Sequence, residues 1–141
     1  MKLFTILTLF LFLVPAIVST QSAQEEKLLK NCGENMSSEF IQSNNSFRAF
    51  LTGEEIAEFR TTLLKGNVYR LVLCTHQPQL IEITIYDYER NKIFSNSDFN
   101  YTNKWDFKIE NSVEFIIEAK LNQDVANSGM ALMLLGFKNY L

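Results

Sequence analysis

A chain of 141 residues with 47% apolar and 21% charged side chains has the size and composition of one small domain. Its formal charge is −3 and it contains no Lys/Arg-rich run, which excludes the electrostatic footprint of a nucleic-acid binder or of a protein docked on anionic lipid. The acidic balance is mild and evenly spread, so it signals solubility and names no basic ligand.

Met1 and Lys2 precede an apolar run from Leu3 to Val18, followed by small and polar residues from Ser19 to Ala23. This is the plan of a secretory signal peptide over residues 1–22. A retained anchor is the competing reading, but the run is short against the roughly 20 residues of a spanning helix and no stop-transfer cluster follows. No Cys stands at the cleavage region, which argues against a lipoprotein. Cleavage leaves about 120 residues, one domain with one core, and removes Lys2, so 12 basic face 16 acidic side chains for a formal −4. The expected place is the periplasm or the extracellular space.

In an exported chain the even pair Cys32 and Cys74 reads as one disulfide, tying the N-terminal segment to the end of a core strand. Two free thiols, or a catalytic thiol beside His76, are the alternatives. Residues two apart on a strand share a face about 6–7 Å apart, but no third orienting group accompanies Cys74 and His76.

Residues 23–45 form a polar tether, with a short helix predicted over Gln24 to Lys30 from two Glu in its first turn and Lys30 in its last. Beyond Ser46 the apolar period becomes two. Strands are predicted at Phe47 to Leu51 and Ile56 to Leu64, separated by Thr52-Gly53-Glu54-Glu55. Lys65-Gly66-Asn67 is a tight turn, and Val68 to Thr75 is apolar on both faces, as a central strand should be. Gln77-Pro78 breaks it. Ile81, Ile83 and Ile85 then alternate with Glu82, Thr84 and Tyr86.

Glu89 to Lys92 turns into a short strand at Ile93 and Phe94, and Ser95 to Lys104 is a polar loop carrying Phe99 and Tyr101. Trp105, Phe107 and Ile109 alternate with charged residues. Val113, Phe115, Ile117 and Ala119 form the inward face of the next strand, Asn122 to Gly129 a turn, and Met130 to Lys138 the last strand. About eight strands without a long helix predict an all-β fold, an antiparallel β-sandwich of jelly-roll type over residues 46–141, with a short helix or coil before it. An eight-stranded membrane barrel shares the alternation, but its strands of about 9–11 residues and aromatic girdles do not fit this length.

The spacing of Thr52-Gly53-Glu54-Glu55, Phe59 to Leu63, Lys65-Gly66-Asn67-Val68-Tyr69 and Ile83-Thr84-Ile85-Tyr86-Asp87 resembles the bacterial pre-peptidase C-terminal domain. Asn111 to Ala119 and Gly129 to Leu135 follow in the right order, so the resemblance covers about residues 46–138. It implies a jelly-roll sandwich of exported bacterial proteins with a binding or folding role and no catalysis of its own. The chain departs from that pattern at Asn111-Ser112-Val113-Glu114-Phe115, and no enzyme is attached.

His76 is the single histidine, so a zinc site would need Cys, Asp or Glu at every other position. A solvated turn histidine is the plainer reading. There is no nucleophile elbow, phosphate loop or His-Glu-x-x-His. Asn96, Asp98 and Asn100 alternate like the start of a calcium loop, yet Tyr101 and Phe107 stand where that motif needs Gly and Glu; Asp98 and Asp106 are the residues a non-standard site would use. Asn35, Asn44 and Asn100 each head an Asn-x-Ser/Thr sequon, but chance alone gives about two in so Asn- and Ser-rich a chain, so three carry little weight.

No catalytic residue, metal or cofactor is therefore assigned. The candidate ligand surface is Tyr86, Tyr88, Phe99, Asn100, Tyr101 and Trp105, since aromatic faces beside amides suit sugars or peptide anchors. The expected function is a non-enzymatic exported module binding a protein or glycan partner. A small secreted hydrolase, a hydrolase inhibitor, and a structural subunit of an envelope complex are the alternatives. The sequence assigns no oligomeric state.

Overall fold

A computed structural model describes residues 18–140, with side chains from Ala23 onward except Asn45. The apolar run from Leu3, and with it most of the expected signal peptide, lies outside the described residues.

Helix α1 (Val18–Gly33) and a 3-10 turn (Glu34–Met36) lead into eight strands: β1 (Ile41–Thr52), β2 (Ile56–Leu63), β3 (Asn67–Cys74), β4 (Ile81–Tyr86), β5 (Lys92–Ser95), β6 (Lys104–Ile109), β7 (Val113–Leu121) and β8 (Ser128–Asn139). A second 3-10 turn, Asn96–Phe99, follows β5. One sheet has the order β1-β8-β3-β6 and the other β2-β7-β4-β5. Every pairing is antiparallel. The chain crosses between sheets at nearly every connection, which is the jelly-roll path. Two sheets of four have free edges, so the strands do not close into a single barrel.

Period-two patterning builds the core. Along β4, Ile81, Ile83 and Ile85 are buried while Glu82, Thr84 and Tyr86 alternate outward. They meet Phe115, Ile117 and Ala119 of β7, and Leu71, Leu73, Met133 and Leu135 from the opposite sheet. Burying aliphatic side chains of this size stabilises by about 1.5–3 kcal/mol each. The tight connection before β3 uses Gly66 at φ +87°, a backbone angle that side-chain-bearing residues resist.

β3 is apolar on both faces for a reason the strand pattern did not identify. Tyr69, Leu71 and Leu73 face the sandwich, whereas Val72 and Cys74 face outward into a second cluster with Leu132, Leu134, Cys32, Met36 and Phe40. The N-terminal segment is therefore a third layer over the outer face of β3 and β8. Cys32 and Cys74 form the expected disulfide, with Cα atoms 5.5 Å apart and a sequence separation of 42. Arg70 fastens the same layer: its guanidinium pairs with both Asp106 carboxylate oxygens (2.7 and 2.8 Å), donates to the Met36 carbonyl (3.3 Å) and lies 4.2 Å from the Phe40 ring centroid.

Several boundaries differ from the sequence reading. The helix is longer than Gln24 to Lys30 at both ends, so Glu25 and Glu26 are not in its first turn. β1 starts at Ile41 rather than Phe47, inside the expected tether, with an irregularity between Gln42 and Ser46. Pairing of Ile41 and Gln42 with Phe137 and Gly136 outweighs the weak strand preference of the intervening polar run Ser43-Asn44-Asn45-Ser46.

Candidate functional site

The end of the sandwich where β3 passes to β4 carries the candidate site. Three structural features frame it: the Thr75–Leu80 connection, the Asn100–Asn103 turn before β6, and the α1 face delivered by the disulfide. Asn96 holds the second of these. Its side chain is fully buried, its Oδ1 accepts from the Ile83 N–H (2.8 Å) and its Nδ2 donates to the Ile81 carbonyl (3.1 Å). It thus replaces the strand partner that β4 loses where β5 ends. The Asn96 carbonyl in turn accepts from the Tyr101 N–H (2.8 Å), and the Asn103 carbonyl accepts from the Leu73 N–H (2.7 Å).

Asn100 and Tyr101 occupy successive left-handed conformations at φ 55° and 54°, and Gln79 another at 60°. Asn tolerates that region, but for Tyr it costs about 1–2 kcal/mol, which these contacts must offset. Three of the five non-glycine residues with positive φ among the described residues thus line one cleft.

That cleft, of about 420 Å³, runs between Thr75–Ile81 and Asn100–Asn103, with Leu73 at its base. A second hollow of about 320 Å³ lies on the other side of His76, lined by Leu28, Asn31, Cys32, Asn35, Leu73, Cys74, Thr75 and Asn103. A third, of about 430 Å³, adds Gln24 and Lys27 from α1. His76 lines all three, exposed as the sequence suggested for a turn residue, but central rather than marginal. Its neighbour Cys74 is oxidised, so the two form no thiolate–imidazole pair. Thr75 Oγ1 donates to the Gln77 carbonyl (2.8 Å) and shapes the turn.

The six residues expected to form one ligand surface are dispersed. Asn100 and Tyr101 line the main cleft. Trp105 is 8% exposed, a core residue stacked on Phe94 at 5.0 Å, which corrects its placement on the surface. Phe99 is 62% exposed and stacks on Phe94 at 5.4 Å. Tyr86 lies on the outer face of the β2-β7-β4-β5 sheet, beside Glu82, Thr84, Lys92, Glu118 and Lys120 in a separate hollow of about 220 Å³. Tyr88 is 69% exposed in the β4–β5 turn, at the far end of β4 from the cleft, about 20 Å away at the rise of an extended chain.

Asp98 pairs with Lys92 (2.8 Å) and Asp106 with Arg70, so these carboxylates point into separate ion pairs rather than converging on a cation. Among the described residues no three His, Cys, Asp or Glu side chains are grouped as metal ligands, and no helix is long and apolar enough to cross a membrane.

Thr75, Gln77, Gln79, Asn103, Asn31 and Asn35 were not assigned to a ligand surface from sequence. One signal points to the last two. Once Cys32 is bonded to Cys74, the i, i+4 spacing of Leu28 and Cys32 turns that side of α1 toward the residues that follow Cys74, and Asn31 and, in the 3-10 turn, Asn35 flank it there.

No protein-family profile and no curated protein matches the chain. Its fold is similar to a crystal structure of Aeromonas hydrophila PliG, a periplasmic lysozyme inhibitor of g-type lysozyme, at 11% identity and a TM-score of 0.47, over 67% of this chain and 83% of that one. The assignment of the β-sandwich rests on the strand order and register of this chain itself.

Proposed function

We propose that the chain is an exported, non-enzymatic β-sandwich module that binds a protein or glycan partner in the envelope or outside the cell, and that it does so at the His76 end. The observation that carries this is the set of adjoining hollows, lined by side-chain amides and hydroxyls and framed by a disulfide and a buried Asn96. Such a lining offers many orienting hydrogen bonds and no acid–base pair for proton transfer. The disulfide supports an oxidising compartment, as the N-terminal run of residues does. Kinship with the bacterial pre-peptidase C-terminal domain belongs to the same proposal; the jelly-roll strand order supports its fold component.

The test is capture of partners from periplasm, medium and surface glycans by the processed chain, with Thr75→Ala/Asn103→Ala as the paired control. Binding by the parent and loss in the double variant is expected; equal capture by both would remove the site from this end. His76→Ala addresses the rival secreted hydrolase, because loss of a hydrolytic activity with the fold intact would overturn the non-enzymatic reading.

A further inference from the structure

We propose that the linked hollows around His76 are a binding site for an uncharged oligosaccharide, an inference that rests on the binding reading above and names its ligand. Nineteen residues line the three hollows between them, and Lys27, at the α1 end, is the one Lys, Arg, Asp or Glu among them. At the chain's 21% charged content, about four would be expected. An anionic or cationic ligand entering the main cleft would surrender hydration without meeting an opposite charge, which is costly. A hydroxyl both donates and accepts, and so does a carboxamide, so Gln77, Gln79, Asn103 and Thr75 present the complementary chemistry of a polyol.

The shape argues for an oligomer. His76 is common to all three hollows, Thr75 and Asn103 join the first to the second, and Asn31 joins the second to the third. A linear ligand can therefore run along them without leaving the protein surface. Each hollow, at about 320–430 Å³, lies within the range of small-molecule sites, roughly 300–1,000 Å³. A polypeptide partner would instead call for a central apolar or aromatic anchor pocket, whereas seven of the twelve residues lining the main cleft carry a side-chain amide or hydroxyl. The rim is held in advance of binding by the Cys32–Cys74 bond and by Asn96, which lowers the ordering entropy that a sugar site must offset.

The experiment is calorimetric titration of the processed chain with neutral hexamers of glucose (β1,4- and α1,4-linked) and of N-acetylglucosamine, against galacturonate and glucosamine hexamers as charged comparators. At least one neutral hexamer should bind, with affinity changing less than about twofold between roughly 0.05 and 0.5 M salt, because no ion pair is involved. Gln77→Ala/Asn103→Ala should weaken it by about tenfold or more, the loss of one or two hydrogen bonds, while Lys120→Ala, on the outer face of the other sheet, stays near the parent. Binding only of the charged hexamers, or neutral binding indifferent to Gln77→Ala/Asn103→Ala, would overturn the proposal. A protein partner captured and then lost in Thr75→Ala/Asn103→Ala would overturn the saccharide assignment while leaving the binding-module reading intact. Absence of both kinds of partner would defeat both.

Discussion

Asn96 stands beside Ile83 as a strand would: its side-chain oxygen takes the Ile83 N–H at 2.8 Å in the interior of the protein. The same amide donates to the Ile81 carbonyl, so a single side chain satisfies two backbone groups of β4. Asn96→Ala leaves both buried and unpaired. A loss of about 2–4 kcal/mol is expected, measured by urea denaturation. Asn96→Asp retains the acceptor but not the donor and should not restore the parent value. Because the Asn96 side-chain amide also donates to the carbonyl of Thr102 in the cleft lining (3.5 Å), a weakened cleft should accompany the loss in any variant that still folds.

Gly136 and Met36 set the spacing between β8 and the 3-10 turn. A Cβ on Gly136 would collide with the Met36 sulfur and lie 3.3 Å from the Phe40 Cβ. Gly136→Ala should therefore destabilise by about 1–3 kcal/mol, as overpacking does. The same change in a Met36→Ala background should cost clearly less, because the colliding atoms are gone; a double-mutant cycle by denaturant titration reads the coupling. Additive effects would show that the two residues do not share this contact.

Cys32–Cys74 closes a long loop, and the chain-entropy model assigns it about 4 kcal/mol. Cys32→Ser/Cys74→Ser should lower the denaturation midpoint accordingly. The apolar patch of Val72, Leu132 and Leu134 should bind a hydrophobic dye more strongly as α1 loosens. Mass spectrometry of natively exported protein should show a gain of two hydrogens on reduction.

The outer face of the β2-β7-β4-β5 sheet predicts a pH response. Arg90, in the β4–β5 turn at φ 64°, reaches across to Glu118 (2.7 Å) and Glu58 (2.5 Å), and Arg60 joins Glu58 to Glu114. The Arg90 and then the Arg60 guanidinium hold the Glu58 carboxyl below its ordinary value of 4.5. A depressed carboxylate pKa contributes stability that is fully present above the ordinary value and is lost as pH falls through the folded one. Arg90→Ala should therefore lower stability near neutrality and flatten the acid side of the stability–pH curve, the variant and the parent converging as pH falls below about 4.5. Added salt should diminish the difference, since the groups are exposed.

Much of the architecture is legible locally. The alternation at Ile81-Glu82-Ile83-Thr84-Ile85-Tyr86 declares a half-buried strand with no knowledge of its partners, because successive side chains point to opposite faces. Gly53 and Gly66 declare their turns through the backbone angles those turns require. The candidate site was less legible. Trp105 sits in the same alternating pattern as Phe107 and Ile109, which pointed inward, yet its aromatic neighbours drew it into the surface group. His76 looked peripheral because nothing near it in sequence explained it; its cleft neighbours lie in α1 and around Asn100–Asn103.

By itself the sequence determined an antiparallel β-sandwich of about eight strands, the positions of its turns and the one available cysteine pair, since each depends on residue identity and short-range spacing. Tertiary structure alone decided three further things: which four strands share a sheet, that the outward apolar side of β3 and β8 is covered by α1 and its following turn, and that amides from three separate segments converge on His76. The reason is physical. Hydrophobic periodicity records that a face is buried, but only long-range pairing and the closure of the Cys32–Cys74 loop specify what buries it and what remains exposed at the rim.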